Sequence, residues 1–213
     1  MIKPPDSVHW SNNAAVIAQL ADFYIKDGQR VADVTYGRGA FWRQTDTSRF
    51  DFRPTDLIPN LDIDPPHAKQ ADFRRLPYSD SSMHLVVFDP PFVAHPPRPC
   101  MNRITKLESY YRCFETTRGM NYKDIINLYQ RGMCESQRVL RPNGMLWVKC
   151  RDIRESQHQC WSHIDIKQAA EQLGFFAKDL YIVVSKSRTY YQRQAKHHAC
   201  KIHSYFWVFV KMD

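Results

Sequence analysis

Two spacings of apolar residues take turns along the chain. After Ser11-Asn12-Asn13, the segment AAVIAQLADFYIK puts Val16, Ile17, Leu20, Phe23 and Tyr24 on one side of a helical wheel. Ser11 or Asn12 supplies a side-chain oxygen to start that helix, and Gly28 ends it. Arg30 to Val34 then reads as a short strand, with a turn from Thr35 to Gly39, a short helix from Ala40 to Thr47 and a second strand near Phe50 to Thr55. Pro77 to Ser82 is a polar turn. Met83 to Phe88 (MHLVVF) is a short apolar run without alternation, the pattern of a strand covered on both faces. Helical spacing returns from Lys123 to Leu140 and stops at Arg141-Pro142-Asn143-Gly144. Met145 to Cys150 is a strand, Ile164 to Leu173 a helix closed by Gly174, and Leu180 to Val184 and Tyr205 to Val210 are the last two strands.

Strands alternate with helices until that final pair. Alternation implies parallel strands joined by crossover helices, and the final pair implies an antiparallel hairpin at one edge of the sheet. Ligands of such sheets bind at the carboxyl ends of the strands, so the residues just after each strand are the ones to search. No repeat, low-complexity tract or linker divides the 213 residues, which are expected to form one domain over 1–213. No apolar run is long enough for a membrane helix, and Met1 to Asp6 lacks an apolar leader, so a cytoplasmic location is expected. Six cysteines are then expected to be reduced thiols.

The turn after the first strand reads Val31-Ala32-Asp33-Val34-Thr35-Tyr36-Gly37-Arg38-Gly39. It carries an acid at the strand end and two glycines that allow close approach of a ligand. A dinucleotide fingerprint needs a small residue where Trp42 stands, which argues against a tightly held pyrophosphate. Asp56 falls where the second strand ends, a position suited to accepting hydrogen bonds from ribose hydroxyls, with Asp62 and Asp64 as competitors in the same loop. Asp72, just before the next strand, can accept from the exocyclic amine of a purine while Phe73 covers the ring.

Asp89-Pro90-Pro91-Phe92 follows the buried strand directly, whereas Asp64-Pro65-Pro66 has no such strand before it and His67 after it. The exocyclic amine of adenine or cytosine is a poor nucleophile because its lone pair is delocalised into the ring. Two acceptors aimed at its hydrogens favour a tetrahedral nitrogen with a localised pair. The Asp89 carboxylate is one, and the Pro90 carbonyl, aimed by the rigid φ of proline, is the other. Phe92 offers a face on which an extruded base can stack.

The order DVTYGRG, then DPPF after an apolar strand, resembles the class I S-adenosylmethionine-dependent amino-methyltransferases, and most of all the DNA N6-adenine and N4-cytosine enzymes of small phage or mobile-element type. ADFRRLPYSDSSMHLVVFDPPF, LRPNGMLWVKC and KIHSYFWVFVK extend the likeness over roughly residues 28 to 211. The resemblance implies an α/β fold of the Rossmann-like class I methyltransferase type: a mostly parallel seven-stranded sheet with an antiparallel last strand and helices on both faces. It implies S-adenosyl-L-methionine as cofactor, with Asp33, Gly37 and Gly39 around its methionine part, Asp56 on the ribose, Asp72 and Phe73 on the adenine, and Tyr36 among the cofactor-binding residues. Asp89, Pro90, Pro91 and Phe92 would hold the target amine. Adenine rather than cytosine rests on Asp89, since the cytosine enzymes more often carry Ser there. Val34-Thr35-Tyr36 departs from the Pro and Phe common in these enzymes.

The charge is 30 basic minus 22 acidic residues, or +8, which favours a polyanionic partner. Val93 to Lys123 carries Arg98, Arg103, Lys106, Arg112 and Arg118 with tyrosines and a phenylalanine interleaved, and the stretch before the last strand carries Lys186, Arg188, Arg193, Lys196 and Lys201. Both flank the expected mouth and suit DNA, or RNA, with a homodimer or partner subunit contributing to target selection. Cys160-Trp161-Ser162-His163 and His197-His198-Ala199-Cys200 hold metal-ligand types at two-residue gaps, but no Cys-x-x-Cys pair exists and no metal is expected. The competing class is a nucleic-acid-binding subunit with an inactive methyltransferase fold, which should lack the acids and glycines present here.

Overall fold

The computed structural model describes residues 3–59, 68–92, 119–155, 158–184, 199 and 201–213. In chain order these hold β1 (Val8–His9), α1 (Asn13–Tyr24), β2 (Arg30–Asp33), a 3-10 turn (Thr47–Arg49), β3 (Asp51–Phe52), β4 (Thr55–Asp56), β5 (Lys69–Gln70), β6 (Met83–Phe88), α2 (Tyr122–Val139), β7 (Leu140–Cys150), β8 (Ile153–Glu155), β9 (His158–Cys160), α3 (Ser162–Gln172), β10 (Phe175–Val184) and β11 (His203–Lys211). No helix among the described residues is long and apolar enough to cross a membrane.

Seven strands form one sheet in the order β1-β10-β11-β7-β6-β2-β3. β11 runs antiparallel to both of its neighbours, and the remaining pairings in this sheet are parallel. Period-two alternation sorts the side chains of each strand between two helical layers. Leu85 and Val87 of β6, Trp147 of β7 and Phe206 and Val208 of β11 pack under α1 with Val16, Ile17 and Leu20. Val86 and Phe88, Leu146 and Val148, and Trp207 and Phe209 point the other way, against Ile125, Tyr129 and Met133 of α2 and Ile166 and Ala169 of α3. A sheet covered on both faces explains why MHLVVF reads as an unbroken apolar run. Both long helices start where sequence places polar caps: the Asn12 side chain accepts from the Ala15 N–H, and Asn121 and Asp124 cap α2 reciprocally.

Four expectations need correction. Residues 40–47 do not form a helix. The chain there runs through turns in which Trp42 N–H donates to the Gly39 carbonyl and Thr45 N–H to the Trp42 carbonyl, because the rings of Phe41 and Trp42 both turn toward the α1 side of the sheet. The strand expected over Phe50 to Thr55 is split. Pro54 has no N–H to donate, and beyond it the chain leaves the main sheet, so that β4 pairs with β5 in a separate ribbon. The last two strands do pair as an antiparallel hairpin, but not at an edge: β11 lies inside the sheet and β1, a two-residue strand with no apolar run to announce it, covers the outer side of β10. Finally, β7 begins at Leu140 rather than Met145, and its turn residues form a bulge: Met83 pairs with Leu140 while Leu85 pairs with Met145, and Asn143 takes φ 60°.

Candidate functional site

The parallel strands β2 and β6 end side by side, and their last residues lead straight into the glycine turn and the Asp-Pro-Pro-Phe segment. Asp33 closes β2 and is buried. One of its oxygens accepts from the Thr35 N–H at 3.0 Å and the other from the Trp42 indole N–H at 2.7 Å. Burial pushes its carboxyl up to about 7; those two hydrogen bonds oppose the rise, and the charges of Asp89 and Asp56 add to it. Gly37 and Gly39 both take positive φ, at 56° and 66°. No atom lies within 4 Å of where a Cβ on Gly37 would stand, so that part of the turn faces open space, whereas the Tyr36 hydroxyl closes over Gly39. An open cleft of about 520 Å³ borders this turn, lined by Tyr36, Arg38, Gly39, Trp42, Phe52 and Pro54 among others.

Asp56, at the end of β4, reaches back to the same turn. Its Oδ2 accepts from the Gly37 N–H at 2.8 Å and its Oδ1 from the Ile58 N–H at 2.9 Å. A carboxylate has about four acceptor positions, so this one can still receive two hydroxyls. Burial, first among its influences, raises its pKa.

Asp89 stands one residue beyond β6. Its N–H donates to the Thr35 hydroxyl at 2.7 Å, which ties the Asp-Pro-Pro-Phe segment to the glycine turn. Its Oδ2 faces the Lys149 ammonium at 3.4 Å. Its Oδ1 is buried and accepts no hydrogen bond. Burial raises its pKa and Lys149 opposes the rise. A buried acceptor left unpaired costs about 1–3 kcal/mol, which marks the place of a missing donor. The ring of Phe92 packs against the core and lies 6.0 Å from the Lys149 ammonium.

Asp33, Gly37, Asp56, Asp89 and Phe92 are thus brought to one end of the sheet. Asp72 and Phe73 are differently engaged. Both oxygens of Asp72 hold the Arg74 guanidinium, at 2.6 to 3.0 Å, and Phe73 is buried against Phe88 with ring centroids 5.0 Å apart. Of the basic residues expected to meet nucleic acid, Lys201 is described: its ammonium lies over the Trp161 ring at 5.2 Å and is buried. Arg98, Arg103, Arg112, Arg118, Lys186, Arg188, Arg193 and Lys196 lie outside the described residues. Of the two metal-ligand groups, His163 gives its Nδ1 to Asp152 at 2.7 Å, and His197, His198 and Cys200 also lie outside the described residues. Sequence reading passed over Lys149, Thr35 and the pairing of Trp42 with Asp33. The first had a signal: a cation next to the end of MLWVKC, an otherwise apolar strand.

The sequence matches no protein-family model and no curated protein. Solved structures do match. A SAM-dependent methyltransferase of Methanosarcina mazei superposes with a TM-score of 0.55 at 11% identity, over 91% of this chain and 97% of that one. A candidate methyltransferase of Bacillus halodurans gives 0.58 at 15% identity, over 94% and 99%. The cyclase SpnF gives 0.55 at 15% identity, over 98% and 88%, so the same architecture also serves another reaction. A candidate DNA modification methylase of Thermus thermophilus matches at 20% identity and a TM-score of 0.45 over 67% of this chain and 51% of that one; the chain spans about half that protein's length. With a parallel sheet interrupted by one reversed strand, helices on both faces and these neighbours, the chain has the Rossmann-like class I methyltransferase fold.

Proposed function

We propose that the chain transfers a methyl group from S-adenosylmethionine to the exocyclic amine of a nucleobase, adenine N6 in DNA before cytosine N4 or an RNA adenine, and that the one domain over 1–213 carries both the cofactor and the amine pocket. The observation that carries this is the unpaired, buried Oδ1 of Asp89 at the start of Asp-Pro-Pro-Phe, held beside the glycine turn by the Thr35 hydroxyl.

The residues present fit such a cofactor. Gly37 leaves open space at the turn, Asp56 keeps acceptor capacity for a pair of hydroxyls, and three acids, Asp33, Asp56 and Asp89, give the pocket a negative field suited to a cationic ligand. The cofactor supplies a methyl group on a sulfonium, which departs as a neutral thioether. Asp89 Oδ1 accepts one hydrogen of the target amine and the Pro90 carbonyl the other, so the nitrogen lone pair localises and points away from both. Phe92 stacks on the base and fixes its plane. After transfer the nitrogen carries one proton too many, and Asp89 Oδ1, already its acceptor, takes it. Rate enhancement then comes from orientation and from fixed acceptors in a partly dry site.

The test is transfer of labelled methyl groups to DNA and to RNA, followed by digestion to nucleosides. Label is expected on N6-methyldeoxyadenosine. Asp89→Ala should keep binding the cofactor product and lose transfer by about 100-fold or more. Wild-type transfer in that variant, or no label on any base, overturns the reading.

A further inference from the structure

Lys149 is a lysine set inside a sheet. It lies on β7 opposite Phe206 of β11, and only 8% of it is exposed. Besides the 3.4 Å contact with Asp89 Oδ2, its ammonium lies 5.3 Å from the centre of the Phe41 ring and 6.0 Å from those of Phe92 and Phe206. The Tyr129 hydroxyl donates to its backbone carbonyl at 3.0 Å, which fixes the strand at this point. An ammonium gives up much of its hydration to enter such a place, and the rings and the carboxylate offset that loss.

Two consequences fall on Asp89. The first is charge. A protonated carboxyl donates at one oxygen and is a poorer acceptor for an amine hydrogen, so the chemistry needs the ionised form. Burial works against that form. Asp33 at the end of β2, Tyr129 on α2 and Cys150 on β7 also sense the Asp89 charge, and none of them is a cation. Lys149 is the cation that faces it among the described residues. The second is orientation. With Oδ2 held by the ammonium, Oδ1 is the carboxylate oxygen left free to accept, buried and without a partner. The same ammonium lies near Phe92, so the two ends of Asp-Pro-Pro-Phe share one anchor.

We propose that Lys149 is the positioning residue of the methyl-transfer site: it holds Asp89 Oδ2, keeps that carboxylate ionised, and so leaves Oδ1 as the acceptor for the target amine. This rests on the function proposed above and adds to it a residue that acts through Asp89 rather than on the substrate.

The experiment compares wild type with Lys149→Met and Lys149→Arg. In Lys149→Met, kcat should fall about 100-fold at neutral pH while KM for the cofactor moves by less than about threefold. The acid limb of the kcat profile should move up by about one pH unit or more, because an opposite charge within about 4–6 Å has been removed. Lys149→Arg keeps the charge and should return that limb toward wild type. If Lys149→Met does not fold, Lys149→Gln, which can still donate to Oδ2, carries the same expectation for the limb. An unmoved limb in the uncharged variants, or equal losses in Met and Arg, overturns the proposal. The Asp89 carboxyl carbon, assigned by its loss in Asp89→Asn, is titrated in parallel by carbon-13 NMR. Its midpoint should rise in Lys149→Met, and an unchanged midpoint overturns the hold of Lys149 on Asp89. That titration needs no substrate. A wild type that methylates no nucleic acid therefore sinks the function proposed above while the hold of Lys149 on Asp89 is decided separately.

Discussion

At neutral pH the Asp33 carboxyl is poised between its two forms, because burial has pushed it up to about 7 from an ordinary 3.8. The folded, ligand-free chain therefore keeps a proton that the unfolded chain has already released between about pH 4 and 7. The Asp33 contribution to stability falls as pH rises through that window and levels off above it. A cationic ligand prefers the ionised form, so its affinity should change in the opposite sense. The dissociation constant for S-adenosylmethionine is expected to fall by about tenfold between pH 6 and pH 8, with uptake of the proton by buffer, and Asp33→Asn should flatten that dependence. Calorimetric titrations in two buffers of different ionisation heat measure both quantities, and a pH-independent affinity in wild type would remove Asp33 from the pocket. At this scale the acids and glycines were legible because each sits directly after a strand or inside a turn. Trp42 and Lys149 were not, because their roles come from partners that spacing does not reveal: the Trp42 indole folds back on Asp33 through a chain of turns, and Lys149 meets Asp89 from the neighbouring strand.

The closest approach that bears on the site is between Gly132 of α2 and Phe88 of β6. A Cβ on Gly132 would stand 2.3 Å from Cζ of Phe88 and 2.8 Å from Cε1. The ring cannot retreat, since Phe73 and Tyr129 pack on it at 5.0 and 5.7 Å between centroids. Gly132→Ala thus sets a helix-propensity gain of about 1 kcal/mol against an overpacking cost of about 1–3 kcal/mol. A net loss of up to roughly 2 kcal/mol is expected, with a lower melting temperature and slower methyl transfer, because Phe88 directly precedes Asp89. A raised melting temperature would show that the ring yields. α1 and α2 were legible from their helical spacing, and β6 from its unbroken apolar run. Shorter elements were not: β1 has two residues, and β3 and β4 divide at Pro54. The segment 40–47 misled for a related reason. Its adjacent aromatics suit a helix face equally well, and what decides is that both rings find the sheet.

The polarity of the whole sheet determines where the basic stretches are attached. β2, β6, β7 and β10 are parallel in direction and β11 reversed, so the carboxyl ends of the first four and the start of β11 share one end of the molecule. Phe92, which precedes residues 93–118, and Val184, which precedes residues 185–198, both lie at that end, as do Asp33, Asp89 and Lys149. The segment 185–198 contains Lys186, Arg188, Arg193 and Lys196 and no acid. A net charge of +8 spread evenly over the surface would bind a polyanion weakly and without direction, whereas cations tethered at the mouth of the pocket would draw phosphates to it. The two arrangements differ in what neutralisation does. If the cations act at the mouth, replacing Arg188, Arg193 and Lys196 together with Ser should lower the slope of log affinity against log salt for duplex DNA by about 2–3, close to 0.9 for each phosphate that no longer meets a cation. Binding of the cofactor product, which the proposed function assigns to Asp33, Asp56 and the glycine turn, should stay as in wild type. Filter binding across a series of salt concentrations gives the slope. An unchanged slope would place the phosphate-binding cations elsewhere, and a loss of cofactor binding along with it would mean that the segment supports the pocket rather than the nucleic acid.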